Sequence, residues 1–261
     1  MRAFLFAVGF WWVSILYVFM AAVLALVPGR KGVRWAVKRY TKRMVQLMKL
    51  IGIQPEVRGR ERLPPAPFIL APKHSSYGDG FLMYIQFDDV AFVTGDHLEK
   101  FPLVPKVLEK LGAIVIDNCG GPEARKDLAA SFAHAAEEKR IVLIYPEGHL
   151  CKVGEHKRIR AGVWHMQEAS KWPVVPVATS LGLRWQEQDY AKYPGPAVIE
   201  FLDPIPPGLG KDEMVARLSE AIRTNTDRLI EEGRQWDKAS GIMRPPAKAV
   251  TKAEVDAGAA N

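Results

Sequence analysis

From Ala3 to Val27 the chain runs for 25 residues without one charged side chain. A helix of that length extends about 37 Å at ~1.5 Å per residue, enough to cross a hydrocarbon core with some tilt. Two other readings fit less well. A signal peptide has a shorter apolar stretch, and a basic segment directly behind it would hinder export. A buried core helix rarely runs this long. Trp11 and Trp12 fall in the middle of the run, whereas aromatic anchors favour the two interfaces. Whether the helix spans the bilayer or lies within one leaflet therefore stays open. Membrane attachment is the expectation in both cases.

Pro28-Gly29 ends this run, and a second helical pattern follows to about Ile51. Val33, Val37, Tyr40, Met44, Leu47, Met48 and Ile51 recur at three- and four-residue spacing, with Lys31, Arg34, Lys38 and Lys42 on another face. Such a basic amphipathic helix either lies on an anionic membrane surface or docks its apolar side on its own domain. The first reading makes residues 1–52 a two-helix membrane anchor with the basic residues on the cytoplasmic side of the inner membrane.

The formal charge of +7 has the same origin. Residues 1–55 hold nine Lys/Arg and no Asp or Glu, which leaves 27 basic and 29 acidic residues, a net of −2, in the remainder. The body therefore lacks the basic face that nucleic-acid binding needs. Two cysteines, Cys119 and Cys151, are too few for a disulfide scaffold or a Cys-rich zinc module. They suit a reduced, cytosol-facing compartment. The six histidines show no metal-ligand spacing, and no metal or resident cofactor is expected.

Beyond Ile53 the pattern changes. Apolar β-type runs at 55–58, 68–71, 90–94, 113–117, 141–145, 174–178 and 197–202 alternate with helical stretches at 79–86, 105–111, 122–139, 160–170 and 211–233. The alternation predicts an α/β domain over residues 53–236, with a mostly parallel or mixed sheet flanked by helices. Residues 237–261, rich in Ala and Lys without apolar periodicity, read as a disordered tail.

Two run ends carry chemistry. Residues 68–79 end in Lys-His-Ser-Ser-Tyr-Gly-Asp, and residues 141–149 end in Tyr-Pro-Glu-Gly-His. Active sites of such sheets lie in the loops beyond strand carboxyl ends. His74 alone suits a packed or solvent-facing loop histidine, and Asp79 suits a helix N-cap. The turn-forming residues between them would also let the carboxylate return to the imidazole. One ring nitrogen would then be free to take a proton from a substrate hydroxyl.

The stretch from His74 to Asp79 resembles the H-x4-D signature of the glycerolipid acyltransferases, the 1-acylglycerol-3-phosphate O-acyltransferase family. Tyr145-Pro146-Glu147-Gly148-His149-Leu150 is similar to that family's F-P-E-G-T-R block, and Val174 to Ala178 to its V-P-V block. The stretch from Val93 to Pro102 occupies the place of its second block. Four blocks in order, over roughly residues 55–205, are far more specific than any one.

The resemblance implies direct transfer of a fatty acyl group from acyl-CoA or acyl-carrier protein, a co-substrate, to the free hydroxyl of a lysophospholipid. The expected acceptor is 1-acylglycerol-3-phosphate, and the product phosphatidate, in phospholipid biosynthesis. It makes His74 the general base, Asp79 its orienting carboxylate, and Glu147 and Gly148 the shapers of the acceptor pocket. Left to itself, Glu147 also reads as a capping or salt-bridged surface carboxylate.

The sequence departs from the family at Leu150, where the phosphate-binding arginine is expected, at His149, which replaces Thr, and at Thr94-Gly95-Asp96, where a lysine is common. Lys152, Lys157, Arg158 and Arg160 follow closely, and Arg160 offers a guanidinium in compensation. The same cluster also reads as a basic loop facing anionic lipid. Loss of the arginine favours an acceptor without a terminal phosphomonoester, such as a lyso-ornithine lipid. A non-catalytic membrane-binding homologue is the reading from another class, opposed by the presence of both His74 and Asp79. A serine hydrolase lacks its G-x-S-x-G elbow, and no nucleotide-binding Gly loop is present.

Overall fold

The alternating runs assemble into one seven-stranded sheet. The computed structural model describes residues 2–95, 103–116, 137–186 and 191–242, with single positions 98, 100, 132, 134 and 135 between them. The strands are β1 Ile53–Arg58, β2 Ile69–Pro72, β3 Val90–Gly95, β4 Ile114–Ile116, β5 Ile141–Leu143, β6 Val174–Thr179 and β7 Gly195–Phe201. Their order across the sheet is β1-β7-β6-β2-β5-β3-β4. Every pairing is parallel except β6 with β7. The sheet is thus mixed and mostly parallel, as the alternation predicts. Each strand expectation meets an observed strand, but β5 ends at Leu143, two residues early; the Ile144 N–H still donates to the Leu70 carbonyl at 2.9 Å before the chain turns off toward the site.

Alternate residues of the central strands feed two cores. Leu70, Leu143, Val175 and Val177 face one side, with Met48, Leu82 and Trp185. Ile69, Ala71, Val142 and Val174 face the other, with Val163, Met214, Leu218 and Ile222. Burial on both faces explains why these strands read as continuous apolar runs rather than alternating ones.

The helices are α1 Arg2–Ala25, α2 Lys31–Leu50, α3 Asp79–Tyr84, α4 Val104–Leu111, α5 Gly162–Ser170 and α6 Lys211–Ala239. The expected helix over 122–139 falls mainly outside the described residues. The last helix runs past Asp237, where a tail is expected to begin. α6 continues to Ala239 because Asp237 is buried and takes a 2.5 Å hydrogen bond from Nη1 of the fully buried Arg184. A buried guanidinium needs such a partner. Residues 243–261 lie outside the described part.

The second helix needs a larger correction. The apolar side of α2 does not face lipid: Val33, Ala36, Met44, Val45 and Met48 are buried inside the protein. Several of its cations are engaged as well. Arg34 lies 3.2 Å from Asp89, Lys38 lies 3.0 Å from Asp88, and Arg30, just before the helix, lies 2.6 Å from Glu138. The alternative in which α2 docks on its own domain is the one observed.

α1 is the opposite case. Phe6, Ala21, Ala22 and Ala25 are buried, while Phe4, Leu5, Val8, Trp11, Trp12, Ile15, Leu16, Phe19 and Val23 are exposed. Among the described residues it is the one helix long and apolar enough to cross a membrane. Phe6 packs edge-on against Trp185 at 4.9 Å near its start, and Ala25 joins Val33 and Leu111 near its end. The helix therefore touches the rest of the protein at both ends, along one side.

Candidate active site

Two loops at the carboxyl ends of neighbouring strands make the site. β2 and β5 pair in parallel with Leu70 opposite Leu143, so the segments that follow them emerge side by side. The Lys73 N–H donates to the Val177 carbonyl at 2.9 Å and carries β2 one rung further. His74 comes next.

The turn after His74 folds around Asp79. One carboxylate oxygen, Oδ2, accepts the Ser75 N–H at 2.7 Å and the Ser76 N–H at 2.8 Å, and lies 3.1 Å from His74 Nδ1. Asp79 is the first residue of α3, yet its carboxylate points back into the turn instead of capping the helix. The turn also needs Gly78, where a β-carbon would come within 2.9 Å of both Leu181 and Trp185. Asp79 is buried, whereas a quarter of the His74 side chain is exposed. Because the carboxylate accepts from Nδ1–H, Nε2 is the acceptor nitrogen offered to a substrate.

Tyr145 from the second loop lies on the imidazole, with ring centroids 3.9 Å apart and planes inclined by 22°. Its hydroxyl is buried without a hydrogen-bond partner among the described residues. Burial and the Asp79 charge push its pKa well above the usual phenolic value, so it stays protonated.

Glu147 follows two residues later and is buried. Its Oε1 is 2.5 Å from Lys73 Nζ, and its Oε2 accepts the His74 N–H at 3.2 Å. The residue expected to shape an acceptor pocket thus sits beneath the His74 peptide.

Gly148 and His149 are exposed beside Arg160. Arg160 turns back onto this loop. Its N–H donates to the Pro146 carbonyl at 2.8 Å and its Nη2 to His149 Nε2 at 2.7 Å. Partial desolvation under the Arg160 guanidinium first, then the Arg160 and Lys157 charges, lower the His149 pKa, which favours the neutral ring that acceptance from a guanidinium requires. Arg158 is exposed and has no hydrogen bond or ion pair with these residues among those described. Pro176 lies inside β6 opposite Ala71, a scaffold position. In the second block, Thr94 and Gly95 close β3, while Asp96 and His97 lie outside the described residues.

The structure therefore brings together His74, Asp79, Glu147, Gly148, His149 and Arg160, and leaves Arg158 aside. Sequence reasoning missed Lys73 and the stacking role of Tyr145. The available signal was a lysine directly after a wholly apolar strand, a place where a charge needs a buried partner. Chemically, the arrangement offers an oriented imidazole able to take a proton from a hydroxyl and return it, with a cation about one loop away.

Residues 54–180 match the family described as Acyltransferase. The chain is 30% identical to a 1-acyl-sn-glycerol-3-phosphate acyltransferase of Pseudomonas aeruginosa over 174 residues, 66% of this chain and 68% of that protein. It is 25% identical to the Saccharomyces cerevisiae protein of the same name over 224 residues, 83% of this chain and 73% of that one. The crystal structure of the 1-acyl-sn-glycerophosphate acyltransferase of Thermotoga maritima superimposes with a TM-score of 0.69 at 18% identity, covering 88% of this chain and 98% of that chain, and shows the shared fold. With these likenesses added to the four ordered blocks, the chain belongs to the acyltransferase family that includes the 1-acyl-sn-glycerol-3-phosphate acyltransferases, and is itself an acyltransferase.

Proposed function

We propose that the protein transfers a fatty acyl group from an acyl thioester, acyl-CoA or acyl-carrier protein, to the free hydroxyl of 1-acylglycerol-3-phosphate. The observation that carries this reading is the His74 Nδ1–Asp79 Oδ2 contact of 3.1 Å, which leaves Nε2 available at a partly exposed edge. His74 Nε2 takes the proton as the acceptor oxygen attacks the thioester carbonyl. The carbon–sulfur bond then breaks, and the imidazolium returns its proton to the departing thiolate, giving an ester and a free thiol. Asp79 stabilises the imidazolium, and general-base assistance of this kind contributes about 10²–10⁴-fold.

Arg160 supports a phosphate-bearing acceptor. Leu150 cannot supply the cation expected in this block, but Arg160 is held against Gly148 and His149 in the same loop. We assign the phosphate to Arg160 and not to Arg158. The Leu150 substitution favours one alternative, a lysolipid without a terminal phosphomonoester.

The exposed apolar side of α1 supports a membrane location. Contact with the domain at both ends of α1 favours a helix lying along the bilayer surface, embedded in one leaflet, with the domain on the cytoplasmic side of the inner membrane.

A panel of lysolipid acceptors, assayed with labelled acyl-CoA and acyl-carrier protein, tests the assignment. Lysophosphatidate is expected to turn over, His74→Ala to abolish transfer, and Arg160→Ala to raise the lysophosphatidate KM by the equivalent of about 1.5–3 kcal/mol. Turnover confined to acceptors without the phosphomonoester, indifferent to Arg160, would replace this reading by the alternative.

A further inference from the structure

Lys73 and Glu147 form a buried ion pair directly behind the His74 backbone. Both side chains are essentially inaccessible, at 1% and 2% exposure. Lys73 Nζ donates to Glu147 Oε1 at 2.5 Å and to the Glu155 carbonyl at 2.6 Å. The second oxygen of Glu147 accepts the His74 N–H at 3.2 Å, and the Cys151 N–H donates to the His74 carbonyl at 2.9 Å. The peptide groups on both sides of the base are therefore fixed by the second loop. Asp79 holds the next two N–H groups of the same turn.

A residue that binds acceptor must offer it an accessible polar atom. Glu147 has none to offer, because Lys73 and the His74 N–H occupy its two oxygens inside the protein. Among the described residues nothing else calls for so costly a pair. Burying a lysine and a glutamate gains little stability over an apolar pair of the same volume, whereas breaking such a pair by losing one partner is strongly destabilising. Its position explains its presence: it ties the loop after β5 to the residue next to the base.

We propose that Glu147, paired with Lys73, is a positioning residue that clamps the His74 peptide and balances charge behind the imidazole, and that it makes no contact with acceptor. The inference rests on His74 being the base. Beyond its two oxygens, the ionisable groups around His74 are Asp79 from α3, Tyr145 and Cys151 from the second loop, and Lys73 from the end of β2. Without Glu147 the Lys73 ammonium stands uncompensated and disfavours the imidazolium. Without Lys73 the Glu147 carboxylate favours it.

Steady-state kinetics of the full chain in lipid or detergent test the clamp. The variants are Glu147→Gln, Lys73→Met and the charge-free double variant Lys73→Met/Glu147→Gln. Glu147→Gln is expected to lower kcat by about 10²-fold through a displaced base, with both substrate KM values unchanged. The acid limb of its kcat/KM profile should move to lower pH, and that of Lys73→Met to higher pH. The double variant should return the limb to the wild-type position while keeping the low kcat. Opposite displacements of the limb are not expected from a general loss of packing. Circular dichroism monitors folding, and if a single variant fails to fold, the double variant still reads the kcat loss.

A raised acceptor KM with intact kcat in Glu147→Gln would place Glu147 on the substrate and overturn the proposal. Wild-type kcat in the folded double variant would do the same. If the acceptor panel instead finds a different lysolipid as substrate, only the acceptor assignment fails, and the clamp is tested on that lipid.

Discussion

Tyr145 lies face to face with His74, its ring 3.9 Å from the imidazole and inclined by only 22°. The stack blocks rotation of the imidazole about its own axis, while Asp79 fixes it in plane through Nδ1. The two contacts act at right angles. A base held by only one of them would keep a degree of freedom that catalysis has to remove.

The phenol hydroxyl contributes little to this arrangement, since it is buried without a partner among the described residues. Tyr145→Phe should therefore keep activity within a few-fold and lose no stability, because removing an unpaired polar atom relieves a desolvation cost. Tyr145→Ala should lower kcat by at least tenfold and cost less stability than the about 3–5 kcal/mol of a fully buried aromatic, because the ring is only partly buried. Thermal unfolding and initial rates distinguish the two variants. Equal kinetic damage in both would mean that the hydroxyl, not the ring, matters.

Gly148 sits at φ +73°, and a β-carbon there would meet Arg160 at 2.5 Å from Nε and 2.7 Å from Cζ. Gly148→Ala should cost about 1–2 kcal/mol in backbone strain and push the guanidinium away from His149. We expect it to raise the lysophosphatidate KM, as is expected of Arg160→Ala. Combining the two changes should add little to either, the mark of residues sharing one interaction. Fully additive effects would detach Gly148 from the phosphate site.

The buried Cys151 thiol is pushed up to about 12, mainly by desolvation and next by the Glu147 charge. A thiol is neutral below its pKa, and in the unfolded chain it ionises near ~8.5. The folded state therefore loses stability as pH rises from about 9 toward 12, where only the unfolded chain readily forms the thiolate. Cys151→Ala should lose less stability than wild type between about pH 9 and 11. In the native protein, peptide mass spectrometry should find Cys151 unalkylated by iodoacetamide at about pH 8.5, near the pKa of a free thiol. Rapid native labelling at that position would contradict the burial.

Removing residues 1–28 uncovers Trp185, against which Phe6 and Phe10 pack at 4.9 and 5.8 Å, and the buried face of α2 at Val33. The shortened chain should aggregate or unfold at lower temperature, instead of remaining as a soluble enzyme with weaker, salt-sensitive lipid binding. Loss of the Phe6 contact alone is worth about 1.5–3 kcal/mol. Vesicle sedimentation and light scattering check this. A monodisperse, fully active shortened chain would show that α1 is dispensable to the fold.

The sheet was legible because its strands are buried on both faces, and a short unbroken apolar run such as 174–178 is what a strand covered on both sides requires. The contact between His74 and Asp79 was legible because the two are local, five residues apart in one turn. Glu147 was visible as a residue, but its partner was not: the position of Lys73 after an apolar strand signals a buried partner, yet the contact spans 74 positions and no local pattern says which residue it is. Arg160 was separated from Arg158 only by the fold, since both are exposed loop arginines until one of them turns back on His149. The two readings of α2 stayed unseparated in the sequence for a similar reason. An amphipathic helix announces that it has an apolar side and says nothing about what covers it.

β2 and β5 are neighbours in the sheet, yet His74 and Glu147 are 73 residues apart in the chain. The loop that orders the base is thus delivered by a long-range pairing, which forms only after much chain entropy has been lost. A chain synthesised through Asp79 but not yet through Glu147 lacks the strand and loop that lie behind His74, and also lacks Leu181 and Trp185, on which the turn packs. On the proposed mechanism turnover would wait for completion of the central sheet, and activity in a preparation would count the molecules in which that sheet has closed.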